Sequence, residues 1–458
     1  MESPLSSPRK GSWETPSRAS PVELRSPEST GNKSKIMKSH RRNKNAKASP
    51  VTSSGSTPVT ATMQLLFFAR LFAVFVVSVA VNQIGILFYP FLTLLKPYYF
   101  RRLSDNLESL WVNACLWCFP TYYLVRHGEF PEENGSSIPT DDHIQRPRRP
   151  SISYRNVLHN VFNTRDDEGS VNSPKVIICN HATEADWFYL WMIARMGSVD
   201  RTGNVKIMLK DPIKNIPIFG WGCRLFQFIF LKRDWKVDEK TIKTSLKQLC
   251  EDREPLWIFL FPEGMTINTR SVEKSKSFAF ASERDRPLLE KTLLPRSKGF
   301  ESVIDLLNEH SEYPPEIFDV TMNFDGYSGE IPTWEMGYTR NVDVLVPTIN
   351  TFIMGTAASR CHLDSRKFTY SEVKSHPEGV EGWLDEQWVR KERLMLKFAE
   401  EQGFPSECGP GEVVLVQGSL WQSLLAVAFN IAVWVCLVFV IQKKTENVSF
   451  WEVLPQFV

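Results

Sequence analysis

Apolar and polar positions alternate in texture along this 458-residue chain, and the changes mark its parts. Residues 1–62 are rich in Ser, Pro, Lys and Arg and show almost no apolar period. Such a stretch cannot bury enough surface to offset the entropy of ordering it, so a disordered basic tail is expected. It shows no short apolar core with a small-residue cleavage site, so no cleaved secretory signal is expected. Residues 71–95 are apolar apart from Ser78, Asn82, Gln83 and Thr93, long enough to span a bilayer, and closed by Lys96, Arg101 and Arg102. Residues 107–125 form a weaker second apolar segment that carries Glu108, Asn113 and Pro120. The two read as a membrane hairpin over 63–126. A polar, Pro-rich linker follows at 127–150, then a water-soluble body at 151–410. A C-terminal membrane segment and tail at 411–458 complete the chain; its apolar core, 420–441, is interrupted only by Gln422, Ser423 and Asn430.

Within the body, short continuous apolar runs alternate with helical patterns. Val176-Ile177-Ile178-Cys179, Lys206-Ile207-Met208-Leu209, Phe228-Ile229-Phe230-Leu231 and Trp257-Ile258-Phe259-Leu260-Phe261 read as buried strands, and Val344-Leu345-Val346 as a later one. Residues 187–196 read as a buried helix and 238–250 as an amphipathic one. Buried strands alternating with helices imply an α/β fold, a sheet with helices on its faces.

Composition narrows the class. The net charge of +2 gives no argument for nucleic acid. The aromatic content, with 14 Trp and 30 Phe, suits membrane segments and their interfaces. The 8 Cys form no disulfide framework, and no His/Cys cluster has zinc spacing, so no metal is expected. Cys115 and Cys118 have redox-like spacing but lie in an apolar aromatic run and read as helix filler.

The candidate chemistry sits at the strand ends. His181 and Asp186 follow the first strand. Residues five apart on one helix do not share a face. They meet only if His181 lies in the turn and Asp186 in the first helical turn, with Thr183 as the N-cap. A His so held can act as a general base with an orienting acid. The plainer reading is a capping box of Thr183 and Asp186. Lys210 ends the second strand, and Arg233 follows the third with a guanidinium fork suited to a phosphate. Glu263-Gly264 makes a turn where backbone can approach a ligand. Leu294-Pro295-Arg296 follows later. Ligands in open α/β sheets bind beyond strand ends.

Together these blocks resemble the membrane-bound glycerophospholipid acyltransferases, in the 1-acylglycerol-3-phosphate, lysocardiolipin and lysophosphatidylinositol acyltransferase group. Asn180-His181 to Asp186-Trp187 looks like that family's first motif. Phe228 to Trp235 looks like the second, Phe261-Pro262-Glu263-Gly264 the third, and Leu294-Pro295-Arg296 with Gly299-Phe300 the fourth. Trp383-Leu384 to Trp388 with Lys391-Glu392 is similar to the lysocardiolipin-type branch. One departure is Met265, which stands where the family usually has Thr. The resemblance implies a glycerolipid acyltransferase-type sheet and an acyl-CoA-dependent transfer to the hydroxyl of a lysophospholipid. Acyl-CoA is then a co-substrate, and no cofactor is needed. His181 would be the base and Asp186 its partner. Arg233 would hold the acceptor phosphate, Glu263 and Gly264 would orient the acceptor, Lys210 would join the binding groups, and Pro295 and Arg296 would line the acyl-CoA side. Cys179, in a buried strand, is a poor nucleophile. The resemblance implies the endoplasmic reticulum membrane, with the body facing the cytosol. Lys443 and Lys444 would then lie in the lumen, or the last segment would re-enter near Asn430. CoA-independent transacylation, or a lipid-binding scaffold on an inactive fold, are the alternatives.

Overall fold

A computed structural model describes residues 60–95, 97–119, 122–131, 173–196, 200–282, 284–332 and 347–446. The expected strand at 344–346, residues 1–59 of the tail, and positions 132–150 of the linker lie outside the described residues. Eight strands form one sheet. In chain order they are β1 (Tyr122–Gly128), β2 (Lys175–Cys179), β3 (Val205–Lys210), β4 (Ile229–Leu231), β5 (Trp257–Leu260), β6 (Glu316–Phe324), β7 (Arg360–Thr369) and β8 (Glu412–Val416). Their spatial order is β4-β3-β5-β2-β6-β7-β1-β8. The first five in that order are mutually parallel. β7 runs antiparallel to β6, β1 parallel to β7, and β8 antiparallel to β1.

Successive strand side chains point to opposite faces, so a continuous apolar run feeds two layers at once. On one face, Ile177, Cys179 and Phe259 pack with α1 (Ala61–Leu95), α2 (Pro97–Cys118) and α3 (Asp186–Met196). On the other, Val176, Ile178, Ile258 and Leu260 pack with α5 (Trp235–Glu251), α7 (Ser297–His310) and α10 (Gly379–Glu401). The shorter helices α4 (Phe219–Leu225), α6 (Thr269–Phe280), α8 (Ile349–Met354) and α9 (Tyr370–Lys374) border these layers, and α11 (Leu420–Glu446) closes the described chain. Apart from 344–346, the expected strands and helices of the body appear within a few residues of their expected bounds. The sheet itself reaches past 151–410 at both ends, through β1 and β8.

The expected N-terminal hairpin is corrected in its second half. Residues 107–118 end α2 and residues 122–125 begin β1, so no separate apolar helix spans 107–125. Arg101, Asp105 and Glu108 recur at helical spacing on one face of α2 and are buried against the sheet. Lys206 of β3 lies among them, its Nζ 3.0 Å from Asp105 Oδ1 and 2.9 Å from Glu108 Oε2. A helix that pairs its charges with a sheet is part of the body. β1 then inserts between β7 and β8.

α1 is the one described helix long and apolar enough by composition to cross a membrane, over Ala61–Tyr89. Its polar positions face the protein. Trp111 Nε1 donates to Ser78 Oγ at 2.9 Å, and Asn82 Nδ2 donates to the carbonyl of Ile218 at 3.0 Å. Arg70 Nη1 donates to the carbonyls of Ile353 and Met354 at the end of α8, at 2.6 and 3.1 Å. Outward, Leu65, Phe68, Phe72, Phe75, Ile86 and Leu87 are exposed. α11 is continuous through Asn430, whose Nδ2 donates to the carbonyl of Val76 on α1 at 2.9 Å.

Candidate active site

The site grows from the end of β2. Asn180 prolongs the ladder with its side chain: Nδ2 donates to the Met322 carbonyl at 3.0 Å, and Oδ1 accepts from Met322 N at 2.8 Å. That pins the turn to β6. His181 follows in the turn, and α3 begins at Asp186. Asp186 Oδ2 is 2.9 Å from His181 Nδ1 and accepts from the backbone N–H groups of Ala182 and Thr183 at 2.7 and 2.9 Å. Thr183 Oγ1 accepts from Ala185 N at 3.1 Å. One buried carboxylate therefore both caps the helix start and orients the imidazole, so the two readings of this motif coexist. Because the oxygen only accepts, Nδ1 carries the proton and Nε2 is left as the basic nitrogen. The ring stacks on Phe261, with centroids 4.0 Å apart and planes 11° apart, and Trp187 packs edge-on to the same Phe at 4.6 Å. His181 keeps 13% of its side chain exposed.

Because β2 to β5 are parallel, the residues after them share one edge of the sheet. Gly264 adopts a left-handed φ of 74° in the tight turn after β5. Its carbonyl accepts from Arg233 Nη2 at 2.9 Å, and a Cβ there would lie 4.0 Å from Arg296 Cδ. Arg233 and Arg296 are both exposed. Lys210, at the end of β3, has its pKa lowered by partial burial and by the charge of Arg233. These cations, Gly264 and His181 are brought together at this edge.

Two expected binding residues are turned inward. Glu263 is buried behind the turn, where Trp388 Nε1 donates to its Oε1 at 3.0 Å. Burial pushes its carboxyl up to about 8, so it is largely protonated at neutral pH. Pro295 is also buried, and its carbonyl accepts from Arg286 at 2.9 Å. Glu263 lines a small cavity together with Asn180 and His181. Cys179 is fully buried and its thiol is pushed well up by desolvation, which removes it as a nucleophile.

Sequence reasoning missed Phe261 as the stacking partner, Asn180 as the pin, and the inner support. There Lys391 Nζ lies 2.7 Å from Asp319 Oδ1, both fully buried, and 5.1 Å from the ring centre of Trp388. The available signals were an aromatic just before Pro262, an amide just before His181, and a carboxylate flanked by apolar residues in a strand, Asp319.

The acyltransferase family matches residues 157–307, and the acyltransferase C-terminus family matches residues 351–430. A probable 1-acyl-sn-glycerol-3-phosphate acyltransferase 5 of Arabidopsis thaliana is 32% identical over 233 residues, 51% of this chain and 55% of its own length. Lysocardiolipin acyltransferase 1 of Danio rerio is 32% identical over 227 residues, 49% of this chain and 52% of its own. Lysophosphatidylinositol acyltransferase 10 of Caenorhabditis elegans is 28% identical over 250 residues, 54% of this chain and 59% of its own. The chain thus spans little more than half the length of these relatives.

Proposed function

We propose, for a chain that belongs to the glycerophospholipid acyltransferase family in its lysocardiolipin and lysophosphatidylinositol acyltransferase-like branch, transfer of a fatty acyl group from acyl-CoA to the free hydroxyl of a lysophospholipid. The observation that carries this is His181, with Nδ1 held by Asp186 and Nε2 free at an edge flanked by Arg233, Lys210 and Arg296. A lysophospholipid hydroxyl is a weak nucleophile while protonated. Nε2 takes its proton as the oxygen attacks the thioester carbonyl. The tetrahedral intermediate collapses, the C–S bond breaks, and the CoA sulfur leaves with the proton now on His181. Asp186 stabilises the imidazolium formed on the way. No enzyme nucleophile and no resident cofactor take part.

Arg233 holds the acceptor phosphate, and the Gly264 turn lets backbone come close to it. Lys210 adds charge to that subsite, and Arg296 serves the acyl-CoA side. Glu263 and Pro295 act from behind, as supports of the turn. The acceptor is of the lysophosphatidic acid, lysophosphatidylinositol or lysocardiolipin type. α1 and α11 anchor the body in the endoplasmic reticulum membrane, facing the cytosol, where acyl-CoA is found.

The test is acyl transfer by the full chain and by His181→Ala, with and without acyl-CoA. The expected result is acyl-CoA-dependent product with wild type and loss of all but a few per cent in a folded, membrane-bound variant. Retained turnover in His181→Ala overturns the base assignment. Transfer from a diacyl phospholipid without acyl-CoA makes the protein a transacylase instead.

A further inference from the structure

A larger opening lies away from the catalytic edge. Residues of α1, α2, α4, the β4 approach and α5 surround a cavity of about 780 Å³. That is in the size range of pockets that take small lipids and drug-sized ligands. None of the groups at the catalytic edge lines it. Its inner wall is apolar, with Phe228 and Leu249 buried. Its mouth is apolar too, but exposed: Ile86 is 70% and Trp221 49% accessible. Ile86 belongs to the outward apolar face of α1, so the cavity opens onto the surface that meets the bilayer in the reading above. α1 and α4 touch on its wall, where a Cβ at Gly85 would come within 2.6 Å of Leu225.

Polar side chains share the lining: Asn82, Arg224, Gln227, Ser245 and Gln248. Arg224 is exposed on the lining, and its Nη2 donates to Asn215 Oδ1 at 3.3 Å. Gln227 Oε1 is buried and accepts no hydrogen bond from any described residue. Ser245 and Gln248 line the α5 side. An apolar wall that continues a membrane face, with a guanidinium and unsatisfied amide near it, suits an amphiphile with an anionic head. A soluble anion would leave the apolar wall in contact with water, which costs free energy in proportion to area.

We propose that this cavity takes an acyl chain of an anionic diacyl phospholipid from the surrounding bilayer, with the headgroup phosphate at Arg224. The lipid is not a substrate, since both its hydroxyls are already acylated. It fills the gap between α1 and the body. The inference rests on the membrane reading of α1 and not on the catalytic one.

The experiment uses full-length protein in nanodiscs containing a diacyl phosphatidic acid with a photoactivatable acyl terminus. Crosslinked peptides are mapped by mass spectrometry, with no measurement of turnover. Label is expected to concentrate in peptides covering residues 82–100 and 221–249, and unlabelled phosphatidic acid should compete it away. Ser245→Trp, which fills the cavity from an accessible helix face, should lose that label and keep its circular dichroism. Arg224→Gln should weaken competition by phosphatidic acid roughly tenfold while leaving that of phosphatidylcholine unchanged. Label spread evenly over the outer faces of α1 and α11, or unchanged in a folded Ser245→Trp, overturns the proposal.

Discussion

Replacing Asp186 by Asn is expected to slow acyl transfer only moderately. In catalytic triads the same change commonly costs about 10⁴-fold, because the amide turns its NH₂ toward the imidazole and fixes the wrong tautomer. Here the local hydrogen bonds forbid that turn. Oδ2 of Asp186 faces His181 Nδ1 and also the N–H groups of Ala182 and Thr183, at 2.7 and 2.9 Å. Two backbone donors cannot be satisfied by an amide nitrogen, so Asn must keep its oxygen in this position. Its NH₂ then takes the place of Oδ1, 3.4 Å from Thr183 Oγ1, which can accept. The tautomer of His181 is therefore preserved, and only the negative charge is lost. A charge-assisted hydrogen bond is about twice as strong as a neutral one, a difference of about 1–1.5 kcal/mol when the imidazolium forms. That converts to a rate loss of roughly 5–13-fold. Release of free CoA, followed at saturating substrates, measures it for Asp186→Asn beside His181→Ala. If Asp186→Asn is as inactive as His181→Ala while folded, the amide has flipped and the shared-oxygen argument fails.

Three further outcomes are expected. Arg233→Ala should weaken the apparent affinity for the lysophospholipid roughly tenfold, by loss of a charge-assisted phosphate contact; titrating both substrates checks this, and an effect confined to acyl-CoA reassigns the residue. Glu263→Gln should keep most activity at neutral pH, because the native carboxyl is held up at about 8 and the Trp388 bond needs only an acceptor. The folded state keeps a proton that the unfolded chain gives up above about pH 4.5, so wild-type stability falls as pH rises from there toward 8. The thermal midpoint of Glu263→Gln relative to wild type should therefore rise between pH 5 and pH 8, and a constant difference contradicts the burial argument. Finally, Lys247→Cys on the exposed side of α5 should react with an impermeant maleimide in sealed microsomes, which tests the cytosolic orientation.

The sheet was legible because its inner strands are buried on both faces and so appear as unbroken apolar runs. The His181–Asp186 contact was legible because its spacing allows only one geometry. α2 was not, because an apolar count over 107–125 cannot tell lipid from a protein layer, and the partner of its charges, Lys206, is far away in sequence. β1 was hidden for the same reason: Tyr122, Leu124 and Val125 are buried by strands and helices that come much later. The inward direction of Glu263 was also illegible, since the donor that draws it in, Trp388, belongs to α10.

The place of β1 has a consequence for biogenesis. It is synthesised soon after α1, yet both of its neighbours are made near the end of the chain: Tyr123 aligns with Arg360, and Tyr122 with Val416. Pairings so distant in sequence carry a large loop-closure cost and form slowly. Until β7 and β8 leave the ribosome, β1 is a strand with both edges open. Open edges of this kind recruit other chains. A message cut short before β8 therefore yields a protein with an exposed edge on β1, a substrate for chaperones and proteolysis and not simply an inactive acyltransferase.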